Sequence, residues 1–147
     1  MTAATPLGRL TLVPPPRRRA LVVDDDHLAA QMLADALADR GFDAIVEHDG
    51  RSGFHRLVDE LLGLDLVITD VVMPELDGET LIHTVRHLGG EHDLAIVAVS
   101  AYLTDERRSR LDAAGADAIL DKALGPTCVV DLALRAFSER EMQLGHS

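Results

Sequence analysis

The sequence predicts an α/β domain of the doubly wound kind, a five-stranded parallel sheet with helices on both faces. Short, predominantly apolar runs recur at residues 20–23, 44–46, 64–69, 94–99 and 118–120, only the third holding polar residues, Asp65 and Thr69. Between them lie stretches whose apolar residues repeat at helical spacing. Strands that are apolar nearly throughout belong to a sheet buried on both sides, and their alternation with helices makes that sheet parallel. The 147 residues suit one such domain with a sizeable core.

Residues 1–18 show no periodicity and hold four of the six prolines. They are expected to form a flexible tail with a polyproline II stretch. The domain is expected over 19–141, with 142–147 as a C-terminal tail. Ala20 to Val23 makes the first strand. Leu28, Met32, Leu33, Ala36 and Leu37 mark one face of the first helix, with Asp26 as its N-cap and Gly41 at its stop. Ala44 to Val46 is the second strand. Phe54, Leu57, Val58, Leu61 and Leu62 mark a second helix ended by Gly63. Leu64 to Thr69 is the third strand. Leu81, Ile82, Val85 and Leu88 mark a third helix closed by Gly89 and Gly90. Leu94 to Val99 is the fourth strand. Thr104-Asp105-Glu106 opens a fourth helix, its acids in the first turn where the helix dipole favours them, and this helix ends near Gly115. Ala118 to Leu120 is the fifth strand. Pro126 starts a last helix carrying Val129, Val130, Leu132, Leu134 and Phe137.

Bulk properties exclude several classes. A formal net charge of −11 disfavours direct contact with nucleic-acid phosphates. The single cysteine, Cys128, rules out an internal disulfide and fits a reducing compartment. No run approaches the ~20 apolar residues of a membrane helix, and the prolines and arginines at 14–19 interrupt any signal core. A soluble cytoplasmic protein is the expectation.

Functional groups of a parallel sheet collect at the carboxyl ends of its strands. Strand one ends in Asp24-Asp25-Asp26, strand three in Asp70, strand four in Ser100-Ala101, and strand five in Asp121-Lys122. Crowded carboxylates hold their protons unless a cation intervenes. Mg²⁺ is the natural one, because it is hard and takes oxygen ligands from one or two carboxylates plus water and phosphate. Asp70 is the candidate nucleophile. Ser100 is placed to donate to a phosphoryl oxygen, and Lys122 to neutralise charge that develops in transfer.

LVVDDD at 21–26, ITDVVMPELDG at 68–78, VSA at 99–101 and DK at 121–122 together resemble the receiver domain of bacterial response regulators. The resemblance covers about residues 19 to 140. It implies the flavodoxin-like (βα)5 fold with strand order 2-1-3-4-5. It implies a phosphorylation switch in which Asp70 takes phosphate from a phosphohistidine of a sensor histidine kinase or a histidine phosphotransfer protein. Asp25, Asp70 and the backbone carbonyl of Val72 would ligate Mg²⁺ directly, with Asp24 holding it through water. Ser100 would move toward the phosphate and Lys122 would pair with it. A downstream protein would then read the face of helix four, strand five and helix five. Chemistry would be self-directed, phosphotransfer and autodephosphorylation, so the chain is not an enzyme with a separate substrate. A stand-alone receiver, monomeric or weakly dimeric, is expected. Gly78 is expected to meet a backbone angle that other residues avoid.

Two positions depart from the pattern. The family has proline after the lysine, with a cis bond, whereas Ala123 stands here. A cis bond before alanine costs ~3 kcal/mol, so a trans peptide is expected, or strain kept for function. Ile119 replaces the aromatic residue that many receivers carry three residues before the lysine. Tyr102 either covers the phosphate site or lies exposed in a loop. His83 and His87 have metal-compatible spacing but no evident third ligand, so an exposed helix face is the expectation. Arg107, Arg108 and Arg110 read as a solvated face. Competing functions are a phosphorelay shuttle, an aspartyl-nucleophile phosphohydrolase and a constitutive interaction module. Val72 stands where the phosphohydrolase would need a second acid.

Overall fold

The computed structural model describes residues 17–88 and 94–145. Its strands are β1 (Arg18–Val23), β2 (Phe42–Glu47), β3 (Leu66–Asp70), β4 (Ala95–Ser100) and β5 (Ala118–Asp121). Its helices are α1 (His27–Asp39), α2 (Gly50–Glu60), α3 (Gly78–Leu88), α4 (Asp105–Ala114) and α5 (Pro126–Gly145). The strands form one parallel sheet in the order β2-β1-β3-β4-β5, as the resemblance implied.

Side chains alternate across each strand, which splits the interior into two layers. Ala20, Val22, Leu66, Ile68, Val97 and Val99 face α1 and α5, where Leu33, Leu37, Val129, Val130 and Phe137 cover them. Leu21, Val23, Val67, Ile96 and Ala98 face the other way, under Leu57 of α2, Leu81, Ile82 and Val85 of α3, and Leu111 of α4. Each large side chain so buried contributes ~1.5–3 kcal/mol. The sheet is thereby held rigid at its carboxyl edge, where the polar groups gather.

Helix ends follow local chemistry. Asp26 accepts from Ala29 N–H and caps α1. Asp49 accepts from Ser52 N–H and caps α2, a cap that the apolar spacing alone did not mark. Thr104 caps α4, and Gly115 ends it in the left-handed region at φ 116°.

Several boundaries differ from expectation. Arg18 already belongs to β1, and Arg18–Val23 pair with Phe42–Glu47 along their length. β3 and β4 each run one residue further at the carboxyl end and begin later, so Asp70 and Ser100 are themselves strand residues. α5 continues to Gly145, past the expected limit at 141. The closing glycines 89 and 90, most of the expected N-terminal tail and residues 146–147 lie outside the described residues. Leu28, Met32, Val58, Leu62 and Leu88, placed on core faces by their spacing, are exposed. Leu28 and Leu88 fall at helix ends and Leu62 in a 3₁₀ turn that follows α2, and Ala30 and Ala34 take the buried positions on α1 instead. The described helices include none long and apolar enough to cross a membrane.

Candidate functional site

The carboxyl ends of β1 and β3 lie side by side, because Val23 pairs with Thr69 in register. Asp24 follows directly and is only 1% exposed. Its Oδ1 accepts the Asp26 N–H at 2.9 Å, and its own N–H donates to Glu47 O at 3.1 Å. Asp25 is exposed at the mouth, and Asp26 is occupied as a cap. Asp70, 8% exposed, ends β3. Its Oδ1 accepts the Val71 N–H at 2.8 Å, while Thr69 Oγ1 donates to its carbonyl at 2.8 Å and steadies the strand end. One oxygen from each of Asp24, Asp25 and Asp70 comes within 4.8 Å of the others.

Lys122 leaves β5 and reaches across the rim. Its Nζ lies 3.0 Å from Asp24 Oδ2 and 3.3 Å from Asp70 Oδ2. Sequence reasoning paired this lysine with phosphate only; the contact to Asp24 spans elements that no local pattern relates. Burial opposes the ammonium charge, yet the hydrogen bonds and charges of the two carboxylates together outweigh it and raise the Lys122 pKa. Burial, with the Asp24 charge second, pushes Asp70 up to about 6, against the pull of Lys122 and the Val71 N–H. Three carboxylates converge here with one ammonium between two of them, and their oxygen donors fit a hard divalent cation.

Ser100 is fully buried at the end of β4, one residue past Val99, the register partner of Asp70. Its Oγ accepts the Tyr102 N–H at 3.2 Å, which leaves the hydroxyl hydrogen free to donate. The Tyr102 ring is 76% exposed, which agrees with the loop alternative. Its carbonyl accepts from Arg107 Nη1 at 2.7 Å, and Arg108 donates to Ile119 O at 3.2 Å. Two of the three α4 arginines thus tie that helix to β4–α4 and β5 backbone, beyond the solvated role expected of them.

Val72, two residues beyond Asp70, is exposed, whereas Met73 is buried and anchors the loop. Gly78 corrects an expectation. Positive φ occurs at Gly41, Gly115, Gly125 and the non-glycine Glu75, at 68°, and not at Gly78. Gly78 is required for close approach: a Cβ there would sit 2.3 Å from Asp70 O. Its N–H donates to Val71 O at 2.8 Å, so the loop folds back onto the end of β3. The described residues contain no cis peptide. Ala123 instead gives its N–H to Asp121 Oδ1 at 2.8 Å, a bond proline cannot make, and a short 3₁₀ turn over Lys122–Leu124 follows. His27 and His48 stack at 3.7 Å beside the site, with His48 Nδ1 3.2 Å from Asp24 O; the sequence carried no signal for this pair.

The response regulator receiver domain family matches residues 20–133. The sensor histidine kinase RcsC of Salmonella typhimurium is 32% identical over 116 residues, covering 78% of this chain and 12% of the kinase. An uncharacterized 14.6 kDa protein of Leptolyngbya boryana is 34% identical, over 69% of this chain and 76% of its own length. The chain therefore spans about an eighth of the length of the kinase it matches. Among solved structures, the receiver domain of NarL from Mycobacterium tuberculosis aligns with TM-score 0.75 at 24% identity, covering 84% of this chain and 98% of that one. Chemotaxis regulator CheY4 of Vibrio cholerae aligns with TM-score 0.74 at 25% identity, covering 82% and 99%.

Proposed function

The chain belongs to the response regulator receiver domain family, and on that premise we propose that it is a phosphorylation switch centred on Asp70. The observation that carries the reading is the placement of Lys122 Nζ between Asp24 Oδ2 and Asp70 Oδ2 at a rim shared with Asp25 and Ser100. Asp24, Asp25, Asp70 and the Val72 carbonyl would hold Mg²⁺, and that ion, when bound, offsets charge on the phosphoryl oxygens.

Asp70 Oδ2 attacks the phosphorus of a phosphohistidine on a sensor kinase or phosphotransfer protein. The P–N bond breaks, its electron pair stays on the imidazole nitrogen, and an acyl phosphate forms. Val71 N–H keeps the other Asp70 oxygen oriented. Lys122 transfers its bond from the carboxylate to a phosphoryl oxygen, and Ser100 donates its free hydroxyl hydrogen to another. Leaving the Tyr102 N–H shifts the β4–α4 loop, and Arg107 conveys that shift to α4. A protein partner reads the change on the face of α4, β5 and α5.

Intact mass after incubation with acetyl phosphate and Mg²⁺ tests the reading. The wild type gains a phosphoryl adduct and Asp70→Asn does not; equal adducts in both would sink it. A shuttle role has one observation in its favour, the match to a receiver segment within a sensor histidine kinase. Transfer of the label from Asp70 onto a histidine phosphotransfer protein distinguishes a shuttle from a terminal effector.

A further inference from the structure

α3 carries His83 and His87 one turn apart, both exposed. Their rings lie together, with centroids 4.2 Å apart and planes 38° apart. His87 Nδ1 lies 2.7 Å from the His83 carbonyl, so it serves as donor. That contact selects the tautomer with Nε2 bare and holds the ring in place. It is the arrangement by which metal-ligating histidines are oriented, the second nitrogen giving its proton to a backbone carbonyl.

We propose that His83 and His87 form a two-imidazole site for a borderline divalent cation of the zinc class, separate from the acidic pocket. Such ions bind imidazole nitrogen at ~2.0–2.1 Å, which sets the two donor atoms ~3 Å apart. The two rings already lie 4.2 Å apart, centroid to centroid. The remaining positions on the ion belong to water. Three features favour a cation here. The site lies in the last turns of α3, where the helix dipole is negative. Arg86, the nearest cationic side chain in sequence, is drawn away to Gly115 O, Leu94 O and Asp117 Oδ2. The chain as a whole carries −11. Selectivity follows from donor type: nitrogen donors suit zinc and nickel, while Mg²⁺ keeps to the carboxylates of the rim.

The test is a Zn²⁺ titration in saturating Mg²⁺, followed by the imidazole resonances in NMR spectra of the full chain. The resonances of His83 and His87 should move together and saturate at one ion per chain. His83→Gln and His87→Gln should each weaken binding about tenfold or more, because each removes one arm of a chelate, while His55→Gln leaves it unchanged. Both histidines are exposed, so the variants keep the fold, which their amide spectra verify. Shifts confined to His27, His48 or His55, or wild-type affinity in both variants, would overturn the proposal.

Discussion

Replacing Asp70 by asparagine is expected to stabilise the metal-free protein at neutral pH. Asp70 is held at about 6 in the folded state, against a usual 3.8. The folded form therefore binds more protons than the unfolded chain between those values, and stability falls as pH rises across that window. The loss is complete above about 6 and corresponds to about 2 pKa units, or ~3 kcal/mol at most. Asparagine keeps an oxygen for the Val71 N–H and carries no charge to bury. Urea unfolding in EDTA at about pH 7.5 should show the variant ~1–3 kcal/mol more stable than wild type. Below about pH 3, where the carboxyl is protonated in both the folded and the unfolded state, the difference should vanish. Mg²⁺ should reverse the order, since a ligand at 100 times its Kd adds ~2.7 kcal/mol to wild type and little to the variant. An Asp70→Asn protein that is less stable in EDTA, or equally more stable at low and neutral pH, would refute the argument that burial and Asp24 raise this carboxyl.

The backbone and the opposite rim of the sheet provide further tests. Gly78→Ala should cost ~1–3 kcal/mol and slow phosphorylation of Asp70 from acetyl phosphate, because its Cβ meets Asp70 O at 2.3 Å; unchanged melting and labelling would dismiss the close-packing argument. Asp117 accepts from Arg86 Nη2 at 2.6 Å, Ile96 N at 2.8 Å and Arg140 Nη1 at 2.8 Å, so Asp117→Ala should lower urea stability by ~3–5 kcal/mol, and a loss under ~1 kcal/mol would show the network to be dispensable. Glu75→Gly should raise the melting temperature, since a non-glycine residue at φ 68° costs ~1–2 kcal/mol and the exposed pairing with Arg51 at 3.8 Å contributes little; a lower melting temperature would mean that the side chain makes a contact of greater worth than the strain.

The parallel sheet and the site at its carboxyl edge were legible in the chain because they rest on local patterns. Uninterrupted apolar runs mark doubly covered strands, and caps such as Asp26, Thr104 and Gly115 act within a few residues of themselves. The polar residues that follow each run had to emerge at one edge, since a helix between consecutive strands carries the chain back and every strand then runs in the same direction. Other features depend on distances between elements remote in sequence, and only the folded chain set them. Adjacent aspartates divided into a buried Asp24 and an exposed Asp25 because the strand end faces Glu47 and Lys122. Lys122 found two carboxylates, one of them 52 residues away. Gly78 proved to be a matter of contact with Asp70, with the unusual backbone angle falling on Glu75. Leu28 and Met32 kept helical spacing but lost burial. A sequence determines which residues seek the interior and which way a strand runs. Which charges meet, and how dry they are when they do, is decided by register and packing across the sheet, where interaction strength depends on separation and local dielectric rather than on order along the chain.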